Sequence, residues 1–170
     1  DGNGTWTERD WSEAVVTNDR LEFNTHKGLC TLKRSEADFS LAYDFIHLSA
    51  DYGNSGLQVQ YRVGGWWGAD LMKGGFSGGY VANVQKSAVD KLYVSLQKEE
   101  PDTSFTKIAE QTVTNSSWSQ STPIRIRIVP IGSRHRIYVE GNKVIDVTDS
   151  TYTSGNWHFR DSWGDDRAID

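Results

Sequence analysis

Cysteine is nearly missing from this chain: Cys30 stands alone, so no internal disulfide can staple the fold. Set between Leu29, Thr31 and Leu32, it reads as a buried, inert thiol. Proline is scarce, and no apolar run approaches the ~18 residues of a membrane-spanning helix. No charged and then apolar leader precedes Asp1, which fits a mature or excised domain. Positive charge is in deficit, with 18 Lys and Arg against 23 Asp and Glu and a formal net charge of -5. Phosphate backbones are gripped by basic faces, so this balance argues against a nucleic-acid partner. Helical 3.6-residue stripes are hard to find, which argues against a helical bundle.

In their place is period-2 alternation, the pattern of strands with one buried face. Phe39, Leu41, Tyr43 and Phe45 alternate with Ser40, Ala42 and Asp44. Leu57, Val59 and Tyr61 alternate with Gln58, Gln60 and Arg62, and Tyr80, Ala82 and Val84 with Val81, Asn83 and Gln85. The same holds for Leu92, Val94 and Leu96, and for Ile124, Ile126 and Ile128 between Arg125 and Arg127. "PIGS" makes a turn before Ile137 and Val139, and "EGN" at 140–142 makes a tight hairpin because Gly141 can take a positive φ. A strand over 143–147 follows. Short strands, turn signals and one polar face per strand predict an all-β fold, an antiparallel β-sandwich, with residues 1–170 as a single domain. The most irregular stretches are 63–79, rich in glycine, and 99–123, which flanks a short strand around 108–113.

Residues that carry chemistry are few. Hydrolysis of a glycosidic bond needs two carboxyl groups facing each other across it, and no E-x-D or E-x-E pattern stands on a predicted strand. The adjacent acids Glu99–Glu100 and Asp165–Asp166 read as solvated turns. His26, His47, His135 and His158 have no metal-ligand spacing and read as surface or strand-flanking residues. An enzyme is therefore the less favoured reading.

What remains suits a sugar. Gln58, Gln60 and Arg62 share one face opposite the Leu57, Val59 and Tyr61 row, with Asn83 and Gln85 on a second strand and Tyr93, Ser95 and Gln97 on a third. Planar amides and guanidinium groups can pair with vicinal hydroxyls. In "VGGWWG", Trp66 and Trp67 are framed by glycines, and an indole face suits the C–H face of a sugar ring. Adjacent residues in extended chain point oppositely, so one of the pair is expected to be buried and the other available, with Tyr52 and Phe76 completing the platform. Trp118 and Trp163 are alternative platforms, whereas Trp6, Trp11 and Trp157 are expected in the core or sealing strand ends.

The stretch "RIYVEGNKVIDVTDSTYTSGNWHFRDSWGDDRAID" resembles the closing hairpin and last strands of concanavalin A-like jelly rolls. These include laminin-G-like lectin domains and carbohydrate-binding modules related to the levan-binding type. The resemblance implies the fold; joined to the amide rows, the tryptophan pair and the missing acid pair, it leads to the expectation of a non-catalytic, extracellular module that binds a polysaccharide or oligosaccharide and targets an associated glycoside hydrolase. It also implies a structural Ca2+ where the termini meet, for which Asp1, Asn3 and Asp170 are the candidate ligands. A laminin-G-like adhesion module is an alternative. A narrower likeness, "KGLCTLKRSEADFSLAYDFIHLSADYGNSGLQVQYR", is similar to the opening of 3-keto-disaccharide hydrolase-like domains and would imply a hydrolase or lyase acting on a 3-keto-glycoside. Asn54, Ser55 and Gly56 match that pattern, but Arg62 lies two residues late, Val81 stands where the family has a glutamate, and no histidine adjoins Gly164.

Overall fold

The computed structural model describes residues 6–8, 14–17, 20–23, 29–47, 56–64, 66–67, 75–76, 78–101, 104–162 and 167–169, and the side chains within 37–47, 56–64, 78–101 and 104–159. Among the described residues there are sixteen strands and no helix. In chain order they are β1 (Trp6–Glu8), β2 (Ala14–Thr17), β3 (Arg20–Phe23), β4 (Leu29–Glu36), β5 (Leu41–His47) and β6 (Gly56–Val63). Then come β7 (Trp66–Trp67), β8 (Gly75–Phe76), β9 (Gly79–Ala88), β10 (Lys91–Glu99) and β11 (Phe105–Thr114). The last are β12 (Ile124–Ile131), β13 (Arg134–Val139), β14 (Asn142–Thr148), β15 (Gly155–Ser162) and β16 (Arg167–Ile169).

Fourteen of them form two seven-stranded antiparallel sheets, the first ordered β1-β4-β15-β6-β9-β10-β11 and the second β14-β13-β12-β5-β16-β3-β2, and β7 and β8 pair as a separate two-stranded ribbon. This is an antiparallel β-sandwich of the jelly-roll kind. Alternation explains the packing. In the first sheet Phe159, Val59, Ala82 and Leu96 lie directly opposite one another on successive strands, and all face the second sheet. From the second come Tyr43, Phe45, Ile124, Ile126, Ile128, Ile137, Val139 and Ile145. Each such side chain contributes ~1.5–3 kcal/mol on burial, so the shared face dominates the fold's stability. Phe39 extends it by stacking on Trp157 at 4.6 Å between ring centroids.

Several expectations change in the structure. The short strand around 108–113 is the ten-residue β11, at the edge of the first sheet. Trp118 is a core residue rather than a loop platform, 7% exposed. The 115–122 segment seats it: Asn115 Oδ1 accepts from Ser117 N–H, and the buried Lys86 ammonium donates to the carbonyls of Ser119 and Gln120. His135 is wholly buried rather than superficial, and Glu99 ends a strand rather than standing in a turn. The "EGN" turn has positive φ at Glu140 (50°) as well as at Gly141 (78°), the pairing that a two-residue type I′ hairpin requires.

Candidate functional site: the polar face of the first sheet

Turning Leu57, Val59 and Tyr61 toward the core points Gln58 and Gln60 to the other face of β6. On β9 the same parity places Val81, Asn83 and Gln85 there, and on β10 Tyr93, Ser95, Gln97 and Glu99. Register completes the arrangement. Gln58 lies opposite Asn83, and Asn83 opposite Ser95, so three polar side chains form one row across three strands. At ~4.8 Å per strand the row spans ~10 Å. One step along, His158, Gln60, Val81 and Gln97 form the next row.

Burial on this face is deeper than alternation predicts. Gln60 and Ser95 are 0% exposed, Glu99 3%, His158 7% and Asn83 9%. Deep polar side chains are ordinarily hydrogen-bonded. Here Gln58 Oε1, Gln60 Oε1, Asn83 Oδ1 and Ser95 Oγ are buried without a partner among the described residues. The orientation of Gln60 follows from its neighbour, because its Nε2 donates to Glu99 Oε2 at 3.5 Å and so turns Oε1 away. Four unsatisfied oxygens on three adjacent strands form an acceptor-rich array covered from solvent, each atom carrying a desolvation cost of ~1–3 kcal/mol while it has no donor.

Toward β11 the face becomes charged and exposed. A register shift between Leu96 and Gln97 skips Ile108, so Lys107 opposes Gln97 and Glu110 opposes Ser95, on the same side. Glu110 accepts from Lys107 Nζ at 2.7 Å and from the Tyr93 hydroxyl, and both hold its carboxyl below the usual range.

Arg62 departs from the expected row. Its φ of 55° breaks the alternation, and its guanidinium donates to the Ala37 carbonyl (2.8 Å), the Tyr152 carbonyl (3.2 Å) and Asp38 Oδ1 (3.3 Å). At 1% exposure it clamps two segments that close one end of the sandwich and does not share the amide face. Beside it a buried network runs between the sheets. Asp149 O can only accept, so His135 Nε2 carries the proton that reaches it at 3.0 Å, and His135 Nδ1 accepts from Tyr61 Oη at 2.9 Å. Burial lowers the His135 pKa, the Asp149 carbonyl opposing this. Tyr80 Oη donates to Asp149 Oδ1 at 2.5 Å, and burial pushes its pKa up to about 12.

The excursion between β6 and β9 carries the tryptophan pair. Trp66 and Trp67 form β7, paired with Phe76 and Gly75 of β8, and Gly64 N–H donates to Gly78 O at the base of the excursion. The side chains of Trp66 and Trp67 lie outside the described residues, as do Tyr52, Trp163 and the metal candidates Asp1, Asn3 and Asp170. Gln85 faces the polar side at the end of its strand, opposite Tyr93. From sequence, Glu99 is expected in a solvated turn and His158 at the surface or flanking a strand, whereas the structure buries both on this face, Glu99 at the end of β10 and His158 within β15. Strand parity carried the signal for both: Glu99 is two residues beyond Gln97, and His158 sits between the core residues Trp157 and Phe159. Among the described residues no group of three His, Cys, Asp or Glu side chains could hold a metal ion, and no helix is long and apolar enough to cross a membrane.

No protein-family model matches the sequence, and no curated protein does. Solved structures do match by shape. The carbohydrate-binding module CBM66 from Bacillus subtilis superposes with a TM-score of 0.71 at 22% identity, over 98% of this chain and 92% of that one. The exoplasmic/lumenal domain of VIP36, in its Ca2+/Man3GlcNAc-bound form, gives 0.68 at 13% identity, over 96% and 81%. A Bacillus licheniformis β-glucanase gives 0.62 at 9%, over 99% and 92%. A carbohydrate-binding module, an exoplasmic domain bound to Ca2+ and Man3GlcNAc, and a β-glucanase thus share one architecture with this chain, the concanavalin A-like jelly roll.

Proposed function

We propose that the chain is a non-catalytic carbohydrate-binding module that holds a polysaccharide or oligosaccharide against the polar face of the first sheet. The observation that carries this reading is the Gln58–Asn83–Ser95 row, whose buried oxygens lack partners until donors arrive. Sugar hydroxyls both donate and accept, so the unpartnered oxygens and the amide nitrogens of the face find partners among them. Trp66 or Trp67, on the hairpin that leaves the end of β6, supplies the ring-stacking platform, with Tyr52 and Gln85 at the margins. Arg62 acts by fixing the end of β6 rather than by touching the ligand.

The absence of catalysis is argued from charge. Glu99 and Glu110 are the carboxylates on the described part of this face, and Glu110 is exposed and bound to Lys107 and Tyr93, a poor general acid. Outside the cell, such a module holds an associated glycoside hydrolase on its substrate. A Ca2+ at Asp1, Asn3 and Asp170 belongs to the same proposal. Asp170 directly follows β16 inside the second sheet, while Asp1 and Asn3 precede β1 at the edge of the first, so the ion would bridge the two sheets.

The test is a panel of soluble and insoluble glycans read by affinity electrophoresis and calorimetry. At least one glycan is bound, Asn83→Ala or Gln58→Ala weakens that binding by ~1–3 kcal/mol, and no glycoside or 3-keto-glycoside is turned over. Turnover abolished by a single acid-to-amide change would sink the binding-module reading.

A further inference from the structure

The outer face of the second sheet carries a different pattern. On β12, Arg127 and Val129 point away from the core, and on β13, Arg136 and Tyr138 do. Register makes these four a square: Arg127 lies opposite Tyr138, and Val129 opposite Arg136. The two arginines therefore occupy one diagonal, their backbone positions ~7–8 Å apart, and Tyr138 and Val129 occupy the other.

Charge pairing singles out the two arginines. The neighbouring cations on this face have acids: Arg125 pairs with Asp44 at 3.2 Å, and Arg134 and Lys143 both bind Asp146. Glu140 accepts from Arg125 N–H. Every described carboxylate of the face is thus engaged. Arg127 has only the Ser40 hydroxyl, at 2.9 Å from Nε, and the Tyr138 ring, whose centroid is 5.9 Å from its guanidinium carbon. Arg136 has no hydrogen-bond or ion-pair partner among the described residues, and its Nε is buried as well as unpartnered. Neither guanidinium makes an ion pair among the described residues, and Asp146, which lies directly opposite Arg136 on β14, is already held by Arg134 and Lys143.

We propose that Arg127, Arg136 and Tyr138 form a second binding site, on the sheet opposite the polar face, for an acidic polysaccharide. A guanidinium fork matches the two oxygens of a carboxylate or sulfate, and two forks on a diagonal grip anionic groups on one sugar or on neighbours. The Tyr138 ring is the apolar surface against which the sugar ring lies. A flat square with only two uncompensated cations offers little to a densely charged phosphate backbone, which favours a glycan over a nucleic acid. With sites on opposite sheets, one module can hold two chains at once.

The experiment passes the protein over immobilised polygalacturonate, dextran sulfate and uncharged dextran at low salt. Retention on one or both acidic matrices is expected, falling with added salt, and the matrix retained tells carboxylate from sulfate. The Arg127→Gln/Arg136→Gln pair should lose at least tenfold in association constant, while Lys91→Gln, an exposed cation on the first sheet, stays close to the parent. A Lys/Lys pair at the same positions should recover part of the loss and serves as the informative variant if the Gln pair melts early. Binding of any uncharged glycan by the polar face should be unaffected. No retention of the parent on either acidic matrix, equal retention of the Gln pair, or tighter binding to duplex DNA than to either acidic glycan would overturn the proposal.

Discussion

Ser95 shows how binding and folding can pull a single side chain in opposite directions. Its hydroxyl is fully buried and unpartnered among the described residues, so it costs the protein stability, a cost that the proposed ligand would offset by donating to it or accepting from it. Ser95→Ala should leave the melting temperature unchanged or raise it, while weakening glycan binding by ~1–3 kcal/mol; thermal melts and titrations on the same sample test the two halves. A loss of stability instead would make the hydroxyl part of the scaffold. His135 gives a residue-scale effect of the opposite kind. Its folded pKa is depressed below the ordinary 6.5 by burial, with Tyr61, Tyr80, Arg62 and Asp149 around it. The unfolded chain therefore binds the proton more readily, and the stability this histidine contributes is present above pH 6.5 and declines as pH falls toward its folded value. Denaturant midpoints followed from pH 7.5 to 5 should drop, and His135→Gln should flatten that slope; a slope unchanged by the substitution would remove the assignment.

At the scale of the element, turns separate backbone strain from steric collision. Gly141 has φ 78° and a Cβ there would meet nothing within 4 Å, so Gly141→Ala should cost only the conformational term, ~1–2 kcal/mol. Gly155, at φ 151°, would place a Cβ 2.5 Å from the backbone of Arg62 and Val63, so Gly155→Ala must push β15 off β6 and should cost clearly more. Urea denaturation of the two variants compares them directly, and equal costs would contradict the distinction. Strands of this kind were readable in the sequence because alternation records a single buried face. Leu57, Val59 and Tyr61 announced β6, and the facing amides of Gln58 and Gln60 with it. The depth of burial on the second face was not readable, since alternation says which way a side chain points and not what lies over it. Arg62 escaped for another reason: one residue with positive φ resets the parity of everything beyond it. β11 was underestimated because an edge strand exposes both faces and leaves little alternation to see.

Across the whole molecule, the ends of the chain reach both sheets. β1 edges the first, and β16, only three residues long, lies between β5 and β3 in the second. A strand that short holds its place through its neighbours, so an ion bound at Asp170 with Asp1 and Asn3 would stabilise the folded state by mass action. Calorimetric scans with and without chelator should then differ by several degrees, and Asp170→Ala should abolish the difference; identical scans would remove the ion from the account. The fold itself was recoverable from spacing and resemblance, whereas ligand identity was not. The same jelly roll serves a sugar-binding module and a glucanase, so specificity lies in the side chains laid on the sheet.

The hydrogen bond from Gly64 to Gly78 has a consequence for variation over evolutionary time. β6 and β9 are neighbours in the sheet, and the long excursion between them begins and ends one strand spacing apart. The entropy of closing such an excursion grows only with the logarithm of its length. Insertions, deletions and wholesale replacement of 65–77 thus leave the paired strands in register, so new ligand preferences can be tried on an unchanged platform. A lineage of this fold is free to drift fastest in a segment whose two ends the sheet already holds together.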